Sequence, residues 1–109
     1  MNETEKGELF WTLAEPLLAT GRAERGTMMG FACLRSRGQF FASLERGTNN
    51  LIVKVPASRV NELVASEQAH NFAPNGRVFR EWALVDQVEE ARWAALLQEA
   101  YDFVTPAES

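Results

Sequence analysis

The stretch RGTMMGFACLRSRGQFFASLERGTNNLIVKV, Arg25 to Val55, decides the fold. Glycines at 26, 30, 38 and 47 punctuate it, and the segments between them are short, apolar and partly aromatic. That pattern predicts a three-stranded antiparallel meander. Arg35-Ser36-Arg37-Gly38 reads as the first turn, with Gly38 free to take positive φ. Glu45 to Asn50 reads as the second, because Gly47 and two asparagines suit a turn. Gly30 falls inside the first strand and points to a bulge or a close backbone approach. In the third strand Leu51, Val53 and Val55 alternate with Asn50, Ile52 and Lys54. One face of that strand is wholly apolar, and Lys54 points away from it. Pro56 then ends the strand, since it cannot donate to a ladder.

Working outward, residues 3–19 predict a helix with Leu9, Phe10, Leu13 and Leu17 on one face. Asn2 and Glu5 fit a capping box at its start. Pro16 predicts a kink or break near Thr12 to Glu15, and Gly21 a stop. After Pro56, ASRVNELVAS predicts a short helix with Val60, Leu63 and Val64 inward and Ser58 as N-cap. EQAHNFAPNGR reads as a loop around the turn Pro74-Asn75-Gly76. VFREWALV reads as a fourth strand, with Val78, Arg80, Trp82 and Leu84 on one face and Phe79, Glu81, Ala83 and Val85 on the other. Asp86 and Glu89 resemble a capping box for a last helix. Its stripe is Trp93, Leu96, Leu97, Ala100 and Val104, with Pro106 beyond its end. The expected order is α-β-β-β-α-β-α, an α+β two-layer domain with helices on an antiparallel sheet. The even composition of residues 1–109 makes that one domain.

Apolar residues make up 46% of the chain and charged residues 24%, which places it with ordinary soluble globules. The first ten residues are acidic and polar, unlike a secretory signal, and no apolar run approaches the roughly 18 residues of a membrane span. A cytoplasmic protein with no membrane association is therefore expected. Cys33 is the single cysteine and His70 the single histidine, so a Cys/His zinc site cannot be assembled.

His70 lies in a loop rich in Ala, Asn and Pro and reads as a surface residue, and Cys33 reads as a buried, inert thiol. Neither the phosphate-loop nor the dinucleotide glycine pattern occurs, and no cofactor is expected. Glu89 and Glu90 are adjacent and would diverge by about 100° on a helix, a poor geometry for a shared acid–base site. Trp82 and Trp93 read as core, while Trp11 reads equally as core or as interface. Arg77, Arg80 and Glu81 surround the aromatics of RVFREW, a weak basic–aromatic cluster. Two readings follow. One is a non-catalytic interaction or regulatory module with a protein partner of unknown identity. The other is a binding domain or enzyme for an anionic ligand, with Lys54, Arg59 and Arg77 around one concavity and the helix after Pro56 adding its N-terminal end.

Several segments, in order and at their spacing, resemble the TfoX (Sxy) N-terminal-domain family. They are Thr27-Met28-Met29-Gly30-Phe31 (Met29 where the family has Phe), Gly38-Gln39-Phe40-Phe41-Ala42, Val53-Lys54-Val55-Pro56 with Arg59-Val60 and Leu63, Gly76-Arg77, Glu81-Trp82 and WAALLQEAYDFV. The resemblance covers about Phe10 to Val104. It implies an antiparallel sheet-and-helix fold related to YjbR-like and secretion-chaperone-like domains. Full-length members regulate natural competence and add a C-terminal helical domain. A chain ending at Ser109 is expected to be a stand-alone member. No catalytic residues carry over.

A four-stranded sheet has two edges to protect. With helices on one face, Ile52 and apolar residues of the other face such as Phe40 or Phe41 are expected partly exposed, as is Trp11 near the start of the kinked first helix; a homodimer is the expected outcome.

The net charge of −4 is unevenly spread: residues 1–21 carry −3, residues 22–80 carry +5 and residues 81–109 carry −6. Acidic helices beside a basic sheet should hold random duplex DNA only weakly. Fluorescence anisotropy near physiological salt is expected to give no affinity tighter than about 10 μM, and submicromolar, salt-sensitive binding would contradict this.

Overall fold

The computed structural model describes residues 1–28 and 31–105. The element order is α1 (Glu3–Ala19), β1 (Glu24–Met28), β2 (Phe31–Ser36), β3 (Gln39–Leu44), β4 (Leu51–Lys54), α2 (Ala57–Ala65), β5 (His70–Phe72), β6 (Phe79–Val85) and α3 (Glu90–Val104). The fold is α+β, with one six-stranded antiparallel sheet in the order β1-β2-β3-β4-β6-β5. The predicted sequence of helices and strands is kept, with two strands added. The first predicted strand is two, β1 and β2, paired with Met28 opposite Phe31. The predicted loop before β6 holds the short edge strand β5. The expected feature at Gly30 and the position of Pro106 lie outside the described residues. No helix among the described residues is long and apolar enough to cross a membrane.

Local chemistry explains most boundaries. Asn2 Oδ1 accepts from the Glu5 N–H at 2.8 Å and Glu5 Oε1 accepts from the Asn2 N–H at 3.3 Å, completing the capping box of α1. The expected break at Pro16 does not occur. Pro16 lies in the exposed last turn of a helix that continues to Ala19. There the missing N–H costs one exposed bond, which the packing of Phe10, Ala14 and Leu17 offsets. The helix closes as predicted before Gly21, whose N–H donates to Leu18 O at 3.1 Å. Arg37 and Gly38 form the two-residue β2–β3 turn, with φ 53° and 80°. This double left-handed geometry matches the twist of the flanking strands, and Gly38 adopts it without steric cost. Two predicted caps are absent. Pro56 rather than Ser58 precedes α2, and α3 starts after Glu89 without a side-chain cap. Asp86 is instead engaged by His70.

All three helices pack on one face of the sheet. Their buried residues, among them Phe10, Leu17, Val60, Leu63, Trp93, Leu96 and Val104, form one cluster with Leu34, Phe41, Ala42, Leu51, Val53, Val55, Ala83 and Val85. The five-residue stripe predicted for α3 is buried throughout. Trp93 Nε1 donates to Gln87 O at 3.0 Å, so its polar atom is satisfied inside the core. One irregularity alters the sheet. Leu34 pairs with Ala42 but Arg35 pairs with Phe40, leaving Phe41 as an extra residue in β3. Phe41 and Ala42 both reach the core, and the Phe41 ring meets Tyr101 edge-on at 5.8 Å.

The Phe10 ring is fully buried and meets Trp11 edge-on at 4.9 Å, so it fastens α1 to the rest. Phe10→Ala is expected to cost about 3–5 kcal/mol in urea unfolding. Thr12→Ala, on the exposed side of the same helix, is expected to stay within about 0.5 kcal/mol.

Candidate interaction surface

The three cations expected to surround one anion lie apart. Arg59 sits on α2 in the helical layer. Its Nε donates to Glu99 Oε1 at 2.8 Å, its Nη2 to Glu99 Oε2 at 3.2 Å and its Nη1 to Glu62 Oε2 at 3.3 Å. Hydrogen bonding to Glu99 raises the guanidinium pKa further above its ordinary value, with burial opposing and Glu62 assisting. The open cleft that Arg59 lines contains Pro56, Glu99, Asp102 and Phe103, so acids already surround the one cation there. This bidentate pair joins α2 to α3. Lys54 belongs to the other face of the sheet, since its strand neighbours Val53 and Val55 point into the helical core. Arg77 is exposed in the β5–β6 connection.

Lys54 stands opposite Trp82 in the β4–β6 register. Glu81, the carboxylate on the neighbouring strand, alternates to the opposite face, and its carbonyl receives the Val55 N–H at 3.0 Å. Among the described residues Lys54 has no ion pair. Its half-buried stem therefore covers apolar sheet surface beside Trp82.

The helix-free face of the sheet is largely sealed by its own side chains. Register pairs Gly26 with Cys33, Cys33 with Ser43, Ser43 with Ile52, Ile52 with Leu84 and Leu84 with His70 along one row. Cys33 is fully buried and Ile52 only 5% exposed, although no helix covers either. A Cβ at Gly26 would lie 3.1 Å from Phe40 Cε1 and 3.2 Å from Arg35 Cδ, so glycine is what lets the Phe40 ring lie across β1. Ser43 Oγ donates to Ala32 O at 3.2 Å. Burial pushes the Cys33 thiol pKa up and the charge of Arg35 opposes this, in keeping with an inert thiol. Two residues expected on an exposed dimer face, Ile52 and Phe41, are thus buried: Ile52 under its neighbours, Phe41 because the bulge turns it into the core. Phe40 stays partly exposed. Trp82, expected in the core, is on this face and partly exposed. Trp11 is half-buried, with the Arg25 guanidinium 4.2 Å from its ring centroid.

Among the described residues after Met1, the largest exposed apolar groups are elsewhere, at the end of the β5–β6 ribbon. Val78 is 49% and Phe79 44% exposed. The Phe79 ring stacks on Phe72 with centroids 5.8 Å apart and planes at 30°. Arg77 and Arg80 flank them, both exposed and neither in an ion pair among the described residues. The ribbon protrudes because β4 stops early: its register ends at Lys54 opposite Trp82, and Pro56 leads directly into α2. Reading residues 67–77 as a loop hid Phe72 from the RVFREW cluster. Three residues are too short to show strand alternation, and only the turn at Pro74-Asn75-Gly76 hinted at a hairpin.

His70 on the outer strand β5 places its Nε2 2.9 Å from Oδ2 of Asp86, just after β6. No group of three or more His, Cys, Asp or Glu residues is placed to hold a metal among the described residues. No protein-family model, curated protein or solved structure matches the chain.

Because Lys54 is half-exposed and unpaired, Lys54→Met is expected to change stability by no more than about 1 kcal/mol in denaturant melts. A loss several times larger would reveal a buried pair.

Proposed function

We propose that this protein is a small cytoplasmic interaction or regulatory module without catalytic chemistry, of the TfoX N-terminal-like kind. The observation that carries the reading is the protruding end of the β5–β6 ribbon. It leaves Val78 49% and Phe79 44% exposed, the largest apolar exposures among the described residues apart from Met1. With Phe79 and Val78 each about half exposed, roughly half of the ~1.5–3 kcal/mol that full burial supplies is forgone for each side chain. A cluster of that kind, rimmed by charge and carried on a rigid sheet, is the usual form of a contact surface. The α+β sheet-and-helix architecture is also in keeping with the fold that the family resemblance implies. The anionic-ligand reading gains nothing comparable, since Arg59 is already neutralised by Glu99 and Glu62.

Site-specific photo-crosslinking in cells tests the proposal. A benzophenone amino acid placed at position 79 is expected to give discrete adducts with other proteins. The same group at Gln98, on the exposed side of α3, is expected to give none. Equal labelling from both positions, or none from position 79, would overturn it.

A further inference from the structure

We infer that the helix-free face of the sheet binds single-stranded nucleic acid through cations and aromatic rings paired across its strands. This goes beyond the contact surface at the ribbon end and uses different residues. Register joins the four side chains concerned. Arg35 lies directly opposite Phe40 across β2 and β3, and Lys54 lies directly opposite Trp82 across β4 and β6. Arg35 follows the core residue Leu34, and Lys54 stands between the core residues Val53 and Val55. Strand alternation therefore puts both cations, and the rings paired with them, on the face that carries no helix. All four are partly exposed, whereas Cys33, Ser43 and Ile52 in the neighbouring row of the same face are buried. The part of this face that a ligand meets is thus made of two cations and two aromatic rings.

Their chemistry selects the ligand. Phe40 Cε1 comes within 3.1 Å of where a Cβ on Gly26 would stand, so the ring reaches over β2 and lies along the sheet with one face turned outward. Neither Phe40 nor Trp82 takes part in a ring or cation–π contact among the described residues. Their strands are two apart in the sheet, roughly 10 Å. Unpaired bases stack on rings of this kind, and the phosphates that join them suit Lys54 and Arg35. Lys54 Nζ and the Trp82 indole N–H have no hydrogen-bond partner among the described residues, so both donors are open to a phosphate or a base edge. The acids nearest this face are engaged, Glu24 with Arg35 at 3.6 Å and Asp86 with His70 at 2.9 Å. The acidic helices α1 and α3 pack on the opposite face, about 10 Å behind the sheet. That exceeds the Debye length of about 8 Å at physiological salt, so the net charge of −4 repels a strand on this side only weakly. A duplex hides the faces of its bases and offers the two cations phosphates alone. An acidic peptide likewise leaves the rings unused, and the same face of a second copy brings no free carboxylate.

The test is fluorescence anisotropy of the full chain with a labelled oligothymidylate of about twelve nucleotides. A Kd on the order of 10–100 μM is expected at about 50 mM salt, and a duplex of the same length should bind more weakly. The logarithm of affinity should fall with the logarithm of salt at a slope of about −1.4, as for two phosphate contacts on a single strand, and Lys54→Gln should bring that slope to about −0.7. Trp82→Leu, which keeps apolar bulk and removes the aromatic plane, should lower the affinity at least about fivefold, and Trp82→Phe should restore most of it. Circular dichroism reports whether each variant folds; if Trp82→Leu does not, the slope of Lys54→Gln decides. The inference is overturned by no binding at about 1 mM protein, by an affinity and salt slope that Trp82→Leu and Lys54→Gln leave unchanged, or by tighter binding of the duplex or of a glutamate-rich peptide than of the single strand.

Discussion

The fold depends on the burial of one face of a short central strand. β4 contributes Leu51 and Val53 to the core, and Val55 extends the same row just past its end. β3 and β6 flank it, and α3 covers it with Trp93, Leu96 and Leu97. Each of those side chains is essentially inaccessible, so the hydrophobic term is concentrated where the elements converge. α1 and α2 then occupy the remaining parts of the same face through Phe10 and Leu17, and through Val60 and Leu63. Polar links hold the periphery in register with that core. Lys6 Nζ donates to Asn50 Oδ1 at 2.7 Å and Asn49 Nδ2 to Glu3 O at 2.8 Å, tying the start of α1 to the β3–β4 loop. The Arg59–Glu99 pair ties α2 to α3 in the same way.

A two-layer domain leaves its second sheet face to be managed without helices. This chain manages most of it by small residues under tall ones. Gly26, Cys33 and Ser43 lie low, and Phe40 and Arg35 reach over β1. The bulge decides which phenylalanine does so: it turns Phe41 into the core beside Ala42 and leaves Phe40 on this face. The sealing fails where the ribbon outruns its neighbour. Pro56 stops β4, β6 starts three residues before the last β4 pair with only Phe79 of those paired to β5, and Val78 and Phe79 remain about half exposed. The same proline that delimits the core thus creates the exposed surface on which the functional reading rests.

The uneven charge of the sequence follows the same division. The acidic ends of the chain become α1 and α3, whereas the basic middle becomes most of the sheet, α2 and the ribbon end. Local pairing absorbs part of it, through Arg35 with Glu24 and Arg59 with Glu62 and Glu99. Those pairs are partly exposed and contribute little to stability, about 1 kcal/mol or less each. Their main effect is to decide which cations are left over. Arg22, Lys54, Arg77 and Arg80 have no ion pair among the described residues, and Arg77 and Arg80 flank the exposed Val78 and Phe79 in sequence.

The sequence by itself determined the α+β class, the extent of α1, the turns at Gly38 and Gly47, the apolar face of β4 and the buried stripe of α3. In each case the signal is local: a capping pair, a residue suited to positive φ, or a repeat of two or 3.6 residues. It also placed Cys33 correctly as a buried thiol. Tertiary structure decided the rest. Whether Phe40 or Phe41 enters the core depends on a bulge set by the pairing partner β2, and Ile52 is buried by side chains from other strands. Pro16 does not break α1 because distant packing outweighs one missing bond. Arg59 could be read as a free cation until Glu99, forty residues away, was brought against it. Phe72 joins Phe79 only across an antiparallel ribbon whose outer strand is three residues long. Burial, ion pairing and convergence are properties of neighbours remote in the chain, and periodicity along the chain carries no information about them.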